Sequence, residues 1–213
     1  MRKAAECREP WRICKANLRR DNRLRFSRLG SESFCKVPLA ICVNLCYNEA
    51  KKGGDQMIFS FGNYTVDINV EKTKEIYKNL PLITQACNCD GCQNFEKAVD
   101  VLPKAIHAFF NDLGIELKRI VECYVNCKNE DGTLFYGGFC HVCGTLIQGE
   151  SAWVKTTETH SYYNPDLAYH LNDNFCVSFQ EECFLVEEQF EAPILQIEFQ
   201  ANIPWVLDKK NAY

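Results

Sequence analysis

Nowhere in the chain do apolar residues continue for the ~20 positions that a membrane-spanning helix needs. The best such run, Val37 to Tyr47, covers about half that distance, so no membrane partner is expected. The first thirty residues carry arginines throughout and contain no apolar segment of the kind that drives secretion. Histidine is scarce, with four residues dispersed at positions 107, 141, 160 and 170. No His-Glu-x-x-His pair occurs, which removes the gluzincin type of metalloprotease, and no His-x-Glu precedes a Pro-Cys-x-x-Cys, which removes the usual zinc deaminase. The phosphate-loop, dinucleotide and nucleophile-elbow glycine patterns are absent too. Gly137-Gly138 falls inside a strand pattern and reads as a bulge or a close backbone approach.

Cysteine is abundant instead, at 14 of 213 residues. Without a secretory segment, reduced thiols in a cytoplasm are the expectation, and these serve core packing, metal binding or redox chemistry. Charge is distributed unevenly. Residues 1–56 hold 13 Lys/Arg against 6 Asp/Glu, whereas residues 57–213 hold 11 against 22, a balance of −11. Three readings of the basic segment compete: a disordered extension, an arm whose Arg19, Arg20, Arg23, Arg25 and Arg28 contact phosphates, and a mis-assigned translation start. The last is preferred. Codons for Lys52-Gly53-Gly54 can carry AAA-GGA-GG, a bacterial ribosome-binding run just ahead of Met57.

From Met57 the pattern becomes regular. Ile58–Phe61 and Tyr64–Val70 read as a hairpin around Gly62-Asn63, and Asn69 is placed to cap a helix that Pro81 stops. Helical spacing returns at Phe95, Ala98, Val99 and Leu102, then from Pro103 to a stop at Gly114, with Ala105, Ile106, Phe109, Phe110 and Leu113 facing in. Period two follows: Ile120–Cys127 and Thr133–Gln148 around the turn Asn129–Gly132, then Trp153–Thr156, Phe175–Glu187 and Ile194–Leu207. Residues 160–174 read as a polar loop with one turn at Pro165. Strands, helices and then a succession of strands predict a single α+β domain over 57–213, with an N-terminal hairpin and two to three helices on a mainly antiparallel sheet.

Three cysteines, Cys87, Cys89 and Cys92, fall within six residues of a polar loop at the start of a helix. Exposed N–H groups and the helix dipole favour thiolates there, and Asp90-Gly91 permits the tight turn that lets sulfurs converge. A structural zinc site needs four ligands. The segment Cys140-His141-Val142-Cys143-Gly144 resembles the knuckles of zinc-ribbon proteins, which implies a set of Cys89, Cys92, Cys140 and Cys143. Strand alternation, however, sends Cys140 and Cys143 to opposite faces. The preferred set is therefore Cys87, Cys89, Cys92 and Cys143, with Cys140 or His141 as substitutes and zinc favoured over an iron–sulfur cluster. Cys123 and Cys127 share an apolar strand face and are assigned to core packing; Cys176 and Cys183 are given no role. The expected function is a small cytoplasmic bacterial binding domain, stabilised by zinc and meeting another protein. Its acidity opposes nucleic acid. The alternatives are a zinc-dependent hydrolase and a thiol oxidoreductase.

Overall fold

A computed structural model of the chain describes residues 56–213. The readings of the basic segment, with its five cysteines and clustered arginines, lie outside the described residues but for Gln56. The remainder begins with strands β1 (Gln56–Phe61) and β2 (Tyr64–Asn69), joined through Gly62 at φ +59°. Tyr64, Val66 and Ile68 are buried on one face, as their alternation predicts. The Asn69 side chain accepts the Lys72 N–H at 2.9 Å and starts helix α1 (Val70–Asn79), which ends just ahead of Pro81. Short α2 (Ile83–Ala86), α3 (Asp90–Ala98) and α4 (Lys104–Asp112) follow. Gly114, at φ +79°, closes α4 where an added Cβ would meet the Val70 carbonyl at 2.6 Å. Ala105 faces solvent, so the buried stripe of α4 is Ile106, Phe109 and Phe110.

Seven strands make the main sheet, every pair of them antiparallel. Long β4 (Leu134–Gln148) is its spine. One edge of β4 pairs with β3 (Glu122–Lys128) as far as Phe139 and with β2 from Gly144 onward; the other pairs with β9 (Ile194–Ile203). Beyond β9 lie β8 (Phe175–Gln180) and β7 (Tyr169–Asn172). Strands β5 (Trp153–Lys155) and β6 (Ser161–Tyr163) form a separate hairpin. This is the predicted α+β domain with a mainly antiparallel sheet, and it carries four helices, one of them a single turn.

Helices α3 and α4 cover one face of the sheet. Phe95 of α3 packs on Tyr136 and Phe199, with ring centres 5.5 and 5.6 Å away, and Phe110 of α4 meets Phe175 edge-on at 5.8 Å. The opposite face buries polar groups. His141 Nε2 lies 3.1 Å from Gln196 Oε1, which also accepts the Phe184 N–H at 2.7 Å, and Gln196 Nε2 donates to Glu198 Oε1 at 2.6 Å. Trp153 of the β5–β6 hairpin also bonds to Glu198.

Helix α1 fills the gap that β2 and β3 leave along β4. Tyr77 Oη donates to the His141 carbonyl at 3.1 Å, and Thr73 Oγ1 accepts the Cys143 N–H at 3.0 Å while donating to Asn69 O. Positions 73 and 77 share one helix face, so two hydroxyls supply what a neighbouring strand would. Thr73→Val keeps the shape and deletes the acceptor, leaving the Cys143 N–H buried and unmet. The expected cost is about 1–3 kcal/mol, read as a lower urea midpoint at an unchanged slope.

Candidate metal centre

Between α2 and α3 the chain takes two extended residues, Cys87 (φ −142°) and Cys89 (φ −76°), and Cys89 is the N-cap of α3. The helix begins at Asp90, four residues earlier than apolar spacing from Asn94 predicts, so Cys92 sits inside its first turn. The Cys92 N–H points at Cys89 Sγ, 3.5 Å away. The three sulfurs of Cys87, Cys89 and Cys92 all lie within 4.8 Å of one another. Burial deepens along the loop, with Cys87 exposed, Cys89 half-buried and Cys92 buried.

The loop is held from several sides. Tyr136 Oη donates to the Gly91 carbonyl at 2.9 Å, and Gln93 Nε2 donates to both the carbonyl and Oδ1 of Asn88, each at 2.9 Å. Lys209 from the C-terminal tail pairs with Asp90 at 2.5 Å. Gly91 is pressed so closely that an added Cβ would meet Tyr213 Oη at 2.8 Å and Val125 Cγ2 at 3.1 Å. A side chain at 91 would push the loop off β3.

The thiols do not behave alike. Burial resists ionisation of Cys89, but the N–H groups of Cys92 and Gly91 and the neighbouring thiols outweigh it and lower its pKa. The Cys89 N–H pulls on Cys87, yet burial and the adjacent thiols prevail and push Cys87 up to about 12. Cys92 is raised strongly, first by its side-chain hydrogen bond to the Cys123 thiol and then by burial. A first thiolate therefore forms at Cys89, and a cation is what would let its neighbours follow.

The sulfurs fit a metal by donor type. A tetrahedron with Zn–S of ~2.3 Å has sulfurs about 3.8 Å apart, which a modest side-chain contraction from the present spacing reaches.

The structure does not bring Cys143 to this triad. Tyr136 touches the loop, and Cys143 lies seven residues further along the same strand, about 23 Å at ~3.3 Å per residue. Cys143 faces Lys72, Glu191 and Pro193 in a small cleft instead. Cys140 lies buried on the helix-covered face beside Tyr77, and His141 is engaged by Gln196 on the opposite face, so neither substitute reaches the triad. Alternation sorts a strand's residues by face and says nothing of distance along it. Cys123, which strand patterning assigns to core packing, is 5% exposed on β3 and lies in the hydrophobic core, as does Cys92. Cys127 is exposed, because a bulge between Val125 and Cys127 turns it off the apolar face. Compared with protein-family models, curated proteins and solved structures, the chain matches none.

Proposed function

We propose that the chain is a cytoplasmic, bacterial, non-enzymatic interaction domain whose α2–α3 loop is fixed by a structural zinc ion. The observation that carries this reading is the convergence of Cys87, Cys89 and Cys92 within 4.8 Å at the N-terminus of α3. Soft thiolates favour zinc, and they offer no general base to a bound water, which weighs against the hydrolase.

The partner is a protein. The −11 balance over residues 57–213 repels phosphate backbones. Between β8 and β9 the loop exposes Phe184, Leu185 and Val186 at 49, 67 and 38%, flanked by the exposed carboxylates of Glu181, Glu182 and Glu188. Leu185 is held at φ +52°, a conformation that a leucine keeps only when its surroundings enforce it. Buried Phe190 and the Gln196 bond to the Phe184 N–H pin the loop on both sides. The partner surface that would complement this knuckle is an apolar pocket rimmed by Lys and Arg.

Cys89 and Cys92 favour one second reading, thiol oxidoreductase. They form a Cys-x-x-Cys at a helix start, with the first thiol lowered and half-exposed and the second buried. Elemental analysis of protein purified under reducing conditions separates the two. About one zinc per chain, with the triad resistant to alkylation until a chelator is added, is the expected result. Metal-free protein that forms a Cys89–Cys92 disulfide on mild oxidation would replace the structural reading with the redox one.

A further inference from the structure

The triad offers three ligands, and a structural zinc site takes four. From the geometry we infer that Cys123 of β3 is the fourth ligand, closing a four-thiolate site that ties the α2–α3 loop to the sheet. The inference rests on the metal reading above and names the residue that completes it.

Cys123 comes from a rigid element, whereas the other three come from the loop and the first turn of α3. Val125, two positions along β3 on the same face, lies 3.1 Å from where a Cβ on Gly91 would stand, so the face carrying Cys123 runs beneath the first turn of α3. The Cys123 thiol acts on Cys92, the most buried member of the triad. Both thiols act on the Tyr136 hydroxyl, whose oxygen holds the Gly91 carbonyl. Cys123 stands outside the group of sulfurs that lie within 4.8 Å of one another, so it closes the site by turning its side chain toward the loop. Opposite Cys123 in the β3–β4 ladder is Gly138, whose missing side chain leaves room for the Phe199 ring. Cys87 is exposed and Cys89 half-buried, so these two supply the solvent side of the site and Cys123, buried on β3, would supply the sheet side.

Charge is also met. Four thiolates on a divalent cation leave a net −2, placed where the α3 N-terminus presents its free N–H groups and its positive dipole end. Lys209 stands beside the loop through Asp90. A closed set has no open position for a water or substrate, which makes the site a staple between α3 and β3.

The test uses residues 1–213 loaded with Zn(II) or Co(II), in wild type, Cys123→Ser and Cys143→Ser. X-ray absorption of the wild-type zinc protein should count four sulfurs. Cobalt charge-transfer absorption should fall by about a quarter in Cys123→Ser, with metal affinity lower by roughly 100-fold, the upper end of what losing even an outer-shell partner does. Cys143→Ser should match wild type. Three sulfurs plus an oxygen or nitrogen in wild type overturns the inference and leaves the metal reading intact, as does a Cys123→Ser spectrum identical to wild type. Loss of a sulfur in Cys143→Ser overturns it in favour of that residue. Protein that takes up neither metal overturns both. Should Cys123→Ser not fold, the wild-type sulfur count decides alone.

Discussion

Replacing Phe95 with alanine is expected to cost about 3–5 kcal/mol, the largest loss anticipated for any single side chain described above. The ring is fully buried and touches Tyr136 on β4 and Phe199 on β9, so it bridges α3 to two neighbouring strands. Next to it, Asn94 donates to Tyr136 Oη and to the Pro204 carbonyl and accepts the Val206 N–H at 2.7 Å. These polar contacts fix where the helix lies and prevent it from sliding inward to fill a void. A rigid surround keeps the cavity open, which places the cost toward the top of the range. Phe95→Leu retains most of the volume and should lose less than about 1.5 kcal/mol. Urea unfolding of the two variants measures both, and an alanine variant within about 1 kcal/mol of wild type would show that α3 is anchored by other means.

Glu198→Gln should stabilise the protein in alkaline solution and leave it unchanged in acid. Burial raises the Glu198 carboxyl to about 7 from 4.5, against the opposing bonds from Gln196 and Trp153. A carboxyl whose folded pKa is raised favours folding below its unfolded value. That contribution is lost as pH climbs from 4.5 towards 7. The full loss is about 3 kcal/mol, from ~1.4 kcal/mol per pK unit. Glutamine keeps the acceptor for Gln196 Nε2 and has no charge to bury. At pH 8 the variant should therefore exceed wild type by up to ~3 kcal/mol, and at pH 4 the two should agree within about 0.5 kcal/mol. Glu122, also raised by burial, and Tyr124 share this side of the sheet and remain in both proteins. His141 acts in the opposite sense. Burial lowers its pKa below 6.5, so its neutral form favours folding above that value and the benefit is lost as pH falls. Because His141 is common to both proteins, the difference between their stability profiles isolates Glu198. Parallel profiles would mean that its charge is solvated in the folded state.

Local chemistry made much of this fold legible. The Asn69 cap, the stop at Pro81, the helix from Pro103 to Gly114 and the turn at Gly132 each depend on a few adjacent residues, and each is found. Errors arose where distant contacts decide. Ser161–Tyr163 and Tyr169–Asn172 look like polar loop, and they are strands because β5 and β8 lie alongside to receive them. Residues 181–193 read in part as strand, yet β8 ends at Gln180 and an acidic loop takes over. The same division runs through the candidate site. Three neighbouring thiols at a helix start can be seen in a line of letters. That α3 lies across β3, with Gly91 against Val125, cannot. No period in either segment encodes that crossing.

The two hydroxyls of α1 give the central strand an uncommon dependence. Ladder hydrogen bonds survive almost any substitution, because every residue except proline brings the same backbone groups. At His141 and Cys143 the bonding of β4 is written instead into side-chain identity at Thr73 and Tyr77. Those two positions, on a helix and outside the sheet, thereby hold part of the sheet's own specification.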